Sequence, residues 1–218
     1  MTKPTIVLTA AVLGFTSFAS AQNEVLLEYF DTGNAQPPLF GGTPTSTATN
    51  SLFETATNRS DNYGSRTTSF FIPALTANYT FAAAADDDMK FFLSTNADPA
   101  NALQIISNDG WSASRNYTTH DGGAGGVAAN FSAPISLVAG QTYFIGGTQQ
   151  DGGGGDNYAV TATTDPVNDP IFNGRAPLGD PSLAATIGTL SSVPEPATAT
   201  FAALALGGLL LGRRSRKA

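Results

Sequence analysis

Tyr79-Thr80-Phe81-Ala82-Ala83-Ala84-Ala85-Asp86-Asp87-Asp88-Met89-Lys90-Phe91-Phe92-Leu93-Ser94 carries the pattern that decides the fold. A strand-like run from Tyr79 to Ala83 is followed by a block of acids, and a second short run occupies Lys90 to Leu93. β-Branched and aromatic runs of this length, broken by turn-forming residues, read as strands. Val25 to Phe30, Thr67 to Ile72, Leu103 to Ser107, Ile135 to Val138, Gln141 to Gly146 and Tyr158 to Ala162 are of the same kind. No window of helical length between the two chain ends carries an apolar stripe of period 3.6. The prediction is an all-β fold, a two-sheet antiparallel β-sandwich over residues 22–164. The small side chains of Ala82 to Ala85 suggest close packing there. Residues 165–192, rich in Pro, Asp, Ala, Thr and Gly with few large apolar side chains, read as a linker.

Both ends read as targeting segments. Lys3, the apolar Ile6 to Phe18 and the Ala19-Ser20-Ala21 triplet have the layout of a secretory signal peptide over residues 1–21. At the other end, Pro194-Glu195-Pro196 precedes an uncharged apolar run, 197–212, and then Arg213-Arg214-Ser215-Arg216-Lys217. About 16 residues at 1.5 Å rise make a helix of about 24 Å, at the short end of what spans a hydrocarbon core. The terminal cations hold their end in the cytoplasm, which places the bulk of the chain outside. Pro194 and Pro196 keep the approach to the span extended and accessible.

Five of the 10 Lys and Arg residues and one of the 17 Asp and Glu residues lie in these segments. The exported part therefore has five cations and 16 acids, a balance of −11. Nucleic acid is excluded as a partner, since phosphate binding needs clustered cations. An Asp-rich, Lys-poor surface suits divalent cations and neutral ligands. Cysteine is absent, so core packing or a metal has to stabilise the exported domain.

The tail, residues 193–218, resembles the PEP-CTERM sorting signal in its Pro-Glu-Pro core, apolar span and arginine-rich end. The resemblance implies cleavage near Pro194, Glu195 and Pro196 by a membrane-bound exosortase-type enzyme. It also implies an association with exopolysaccharide or biofilm at the cell surface or in the extracellular matrix.

Within the sandwich, an ordered series of short motifs resembles the PA-fourteen domain shared by bacterial protective antigen and flocculin-type adhesins. The series includes Glu28-Tyr29-Phe30, Asp61-Asn62-Tyr63-Gly64, Asn78-Tyr79-Thr80-Phe81, Asp86-Asp87-Asp88, Gly110-Trp111, Ala139-Gly140-Gln141-Thr142-Tyr143 and Gly152 to Asp156. In sugar-binding members two consecutive Asp residues, joined by a cis peptide bond, aim both carboxylates at one calcium ion completed by sugar hydroxyls. The resemblance carries that role to Asp86 and Asp87, with Asp87-Asp88 as an alternative register. The glycine run can bend close to the ion, and Asp156 and Asn157 beyond it complete the expected calcium ligands. The same acids could equally form an acidic turn or hold a purely structural calcium.

Trp111, the only tryptophan, and Tyr117 are candidate ligand contacts; core packing is the competing reading for Trp111. An enzyme is not expected. His120 is the only imidazole and there is no Cys, which excludes zinc sites built on several histidines and thiol nucleophiles. The expectation is a non-catalytic surface or matrix protein that binds carbohydrate, or failing that one that only contacts other proteins.

Overall fold

Strand formation follows the aromatic and β-branched runs, and the computed structural model describes residues 24–31, 33–119 and 130–192. The signal segment, His120, the sorting residues Pro194, Glu195 and Pro196 and the apolar span 197–212 lie outside these residues. No helix among the described residues is long and apolar enough to cross a membrane.

Ten strands are described: β1 (Val25–Phe30), β2 (Ser46–Asn50), β3 (Tyr63–Pro73), β4 (Ala77–Asp86), β5 (Met89–Leu93), β6 (Leu103–Asn108), β7 (Ile135–Leu137), β8 (Tyr143–Asp151), β9 (Asn157–Thr163) and β10 (Gly188–Ser191). One sheet runs β2-β1-β3-β8-β5-β6 with β10 also on β3, and the other runs β7-β4-β9. Every strand pairing is antiparallel. The predicted all-β sandwich is the observed fold.

Between the sheets, Phe81 of β4 meets Phe71 of β3 and Phe91 of β5, with ring centroids 5.8 and 5.6 Å apart. Tyr79, Ala83 and Ala85 share this core. The alternate side chains of β4, Ala82 and Ala84, are buried too, beneath Tyr117, Ala159 and Ile171. Both faces of β4 are therefore covered. The small residues let a second layer of chain lie close against the strand.

Residues 165–192 differ from the expected linker. Leu178, Leu183, Ile187 and Leu190 belong to the main core, and β10 pairs with β3 from Gly188↔Pro73 to Ser191↔Phe70. A few apolar side chains at the right places close the sandwich, although the average composition of the segment is that of a spacer. The folded domain thus extends to the end of the described residues.

Asp86 to Asp88 mark the place where the chain changes sheet. Asp86 lies opposite Asn157 on β9, whereas Met89 lies opposite Gln149 on β8. Between them the Asp87 N–H donates to the Gln150 carbonyl at 3.1 Å and the Gln150 N–H to the Asp88 carbonyl at 2.9 Å. This crossover sets the acids at one corner of the sandwich, beside the ends of β8 and β9.

Candidate ligand site at the sheet-crossing corner

Four acids interact at this corner: Asp86 and Asp87 at the crossover, Asp151 at the end of β8, and Asp156 just before β9. The Asp86-Asp87 peptide bond is cis. Asp87 Oδ2 accepts the Gly152 N–H at 2.8 Å, and Asp156 Oδ2 accepts the Ser60 N–H at 2.9 Å. Asp151 Oδ2 accepts the Asn62 N–H at 3.2 Å. The third crossover acid, Asp88, turns elsewhere and accepts the Gly110 N–H at 2.7 Å, tying down the loop that carries Trp111.

The glycine run is shaped by close approach. A Cβ on Gly155 would stand 3.0 Å from Asp86 Oδ2 and 3.6 Å from Asn58 Oδ1, and one on Gly152 would stand 3.2 Å from Asp87 Oδ2. Gly153 and Gly154 have φ of 152° and 107°, backbone that L side chains rarely adopt. The loop therefore folds down over the crossover acids.

Three acceptor oxygens at this corner are buried and have no hydrogen-bond partner: Asp151 Oδ1, Asp156 Oδ1 and Asn157 Oδ1. The amide of Asn157 is oriented by its own nitrogen, which donates to the Ser112 carbonyl at 3.0 Å. Burial, then the Asp87 carboxylate, raises the Asp86 carboxyl to about 7. Burial, then Asp156, raises that of Asp151 to about 6. The ion pairs among the described residues use Asp31, Glu28, Glu54 and Asp169, none of them at this corner.

Buried oxygens of this kind suit a hard cation. Calcium takes six to eight oxygens from carboxylates, amides and carbonyls, and the donors here are all of that hard type. The residues fit calcium in chemistry. Among the described residues, no three acid or histidine side chains are already drawn together into a group that could hold a metal ion. Binding would have to gather Asp86, Asp87, Asp156 and Asn157 inward.

The remaining site residues divide. Trp111 is 42% exposed and is held between Gly110, bonded to Asp88, and Ser112, whose N–H donates to the Ala85 carbonyl at 2.6 Å. Its ring is exposed next to the backbone that Asp88 anchors. Tyr117, a ligand-contact candidate in the sequence, is fully buried in the second core layer, so it does not reach a surface ligand. Sequence reading missed Asp151 and Asn58. Asp151 directly precedes the glycine run, which was the available signal, whereas Asn58 comes from a loop distant in sequence.

Residues 192–217 match the PEP-CTERM protein-sorting motif. The chain carries that sorting signal. Its precursor is thus an exported, membrane-associated surface protein sorted by an exosortase. No curated protein matches the chain. Among solved structures, the anti-sigma factor domain-containing protein from Clostridium clariflavum is similar at TM-score 0.48 and 14% identity, over 78% of this chain and 47% of that one. The chain thus spans less than half the length of that protein. The Epithelial Adhesin 9 A domain from Candida glabrata, in complex with Galb1-3GlcNAc, gives 0.48 and 12%, over 69% and 87%. A beta-glucosidase from Kluyveromyces marxianus, in complex with glucose, gives 0.43 and 14%, over 67% and 16%.

Proposed function

We propose that the exported domain is a PA-fourteen-type module that binds carbohydrate of the cell surface or exopolysaccharide through a calcium ion at the crossover corner. The observation that carries this reading is the set of buried, unpartnered oxygens on Asp151, Asp156 and Asn157 beside Asp86 and Asp87, with no ion pair at that corner among the described residues. Asp86, Asp87, Asp156 and Asn157 would hold the ion. When bound, calcium supplies a hard positive centre for neighbouring hydroxyl oxygens of a sugar.

The chain's own residues do the rest. The Gly152 and Ser60 N–H groups orient the carboxylates of Asp87 and Asp156. Asp88 anchors the Trp111 loop, and the exposed indole offers an apolar face on which a sugar ring can stack. No catalytic step is assigned.

A second reading, a structural matrix component without sugar binding, is favoured by the backbone N–H groups already bonded to the acids and by the absence of a ready-formed chelating group among the described residues. Glycan-array binding of the exported chain from Gln22 to Ser192, with calcium and with chelator, separates the two. The expected result is chelator-sensitive binding to a defined sugar class that is lost in Asp87→Asn and weakened in Trp111→Ala. Absence of binding in either condition leaves the matrix reading.

A further inference from the structure

The end of the folded domain and the start of the sorting motif coincide. β10 is paired with β3 as far as Ser191, opposite Phe70, and the sorting motif begins at residue 192. Pro194 is only the third residue after the last paired one. The strand is also part of the core: Leu190 and Ile187 are 2% and 0% exposed. The Ala74 N–H donates to the Ile187 carbonyl at 3.0 Å, and the Tyr79 hydroxyl lies 3.0 Å from the same carbonyl.

β10 and β1 run in the same direction along the same side of β3. β10 covers Pro73 to Phe70 and β1 covers Thr68 to Gly64. At the junction the Ser69 hydroxyl lies 3.1 Å from the Glu24 carbonyl and 3.0 Å from that of Ser191. Both ends of the exported chain therefore leave the domain at one point.

An extended chain advances at most about 3.6 Å per residue, so Pro194 stands within about 11 Å of Ser191. The apolar run begins at residue 197, so a span that starts there leaves at most about 20 Å of chain between the domain and the bilayer. A peptidase that reads an extended segment binds residues on both sides of the bond it cuts, in the manner of an added strand. With cleavage at the start of the motif, the residues upstream of the cut are Ser192 and those of β10, and β3 already holds the latter.

The geometry points to Gly188–Ser191 as a segment contested by two partners, β3 of its own domain and the membrane-bound processing enzyme. β10 has to peel from β3 before the motif is cut and re-pairs afterwards. Cleavage breaks one peptide bond, with water adding across it to leave a carboxylate and an ammonium, or an acceptor amine taking the place of water. The inference rests on the sorting reading alone and is independent of sugar binding.

Because the chain has no cysteine, a single cross-link tests it. Thr189 lies directly opposite Ile72; Thr189 is exposed and Ile72 half-buried, and directly opposed strand residues suit a disulfide. In the full precursor, expressed with its processing enzyme, oxidised Ile72→Cys/Thr189→Cys should be processed roughly tenfold more slowly or worse, because the cross-link holds the strand closed. Reduction should restore the parent rate. Inserting a flexible linker of about eight residues between Ser192 and Val193 should restore processing of the oxidised form, which separates a closed strand from a misfolded domain. Processing of the oxidised precursor at the parent rate, or failure of the linker to rescue it, overturns the inference. The sorting reading fails on a different result, namely parent-like cleavage after Pro194, Glu195 and Pro196 are all replaced by Ala.

Discussion

Two groups of acids in this domain meet different fates, those of the crossover corner and those of the ion-paired flanks. Glu28 is met by Arg66 at 2.6 Å, Glu54 by Arg115 at 2.8 Å and Asp169 by Arg175 at 2.7 Å. Arg175 holds the Asp169 carboxyl below the ordinary carboxylate range. At the corner, by contrast, burial and neighbouring acids raise Asp86 and Asp151. Carboxylates on the flanks are matched by cations of the chain and serve the fold. Among the described residues those at the corner are paired with none, which costs stability and is the basis of the proposed cation site.

The sharpest test of the flank side is Arg66→Ala. Arg66 is 6% exposed, and besides Glu28 it donates to the carbonyls of Pro38 and Gly41 at 3.0 and 2.6 Å. Its removal leaves a largely buried carboxylate unpaired. The expected loss is about 3–5 kcal/mol, or roughly 10 °C in melting temperature for a domain of this size. A change below about 1 kcal/mol would show that flank pairs contribute no more than surface pairs, and the comparison would break.

The corner should respond to pH with the opposite sign from an ion-paired acid. Asp86 titrates at about 7 and Asp151 at about 6 in the fold, against about 3.9 in the unfolded chain. The folded state binds more protons across this window, so stability falls as pH rises from about 4 to about 7. Without calcium, the melting temperature should fall by a few degrees between pH 5 and pH 8. With calcium at about 100 times its dissociation constant, binding adds about 2.7 kcal/mol at pH 8 and offsets much of that fall. A melting temperature that rises over the window without calcium would remove the corner's distinctiveness.

The smallest effect is expected at the exposed end of the flank series. In Asp169→Asn the lost carboxylate was half in water and the amide oxygen can still accept from Arg175, but that guanidinium is buried, so the domain should lose about 1–2 kcal/mol. Its stability should also become less sensitive to acid near pH 3, because a depressed carboxylate no longer has to be protonated. Thermal melts at pH 3 and pH 7 check both statements.

How much could be read from the chain depended on whether the signal was local. Aromatic and β-branched runs such as Tyr79 to Ala83 announce strands because alternation is a property of neighbours. β2, Ser-Thr-Ala-Thr-Asn, was not legible, since this outer strand lies almost wholly in solvent and carries no apolar side chain larger than that of Ala48. β10, Gly-Thr-Leu-Ser, has one core side chain and was lost in the composition of a spacer. Asp86, Asp87, Asp156 and Asn157 could be named from a motif order; for Asp151 the sequence offered only its position before the glycine run, and its place beside the others follows from the pairing of β8 with β3 and β5. Tyr117 was misjudged because the chain that covers it lies around Ile171.

The amino-acid sequence by itself determined the all-β class, the negative charge of the exported part and the sorting signal. Each of these depends on residue types over a few consecutive positions, or on a sum over the chain. Only the tertiary structure decided which acids share a corner, that Tyr117 is core, and that residues 165–192 close the sandwich. Those outcomes depend on contacts between segments far apart in sequence, where a few side chains such as Leu178, Ile187 and Leu190 fill particular spaces in the core. Average composition carries no record of where such side chains will fit.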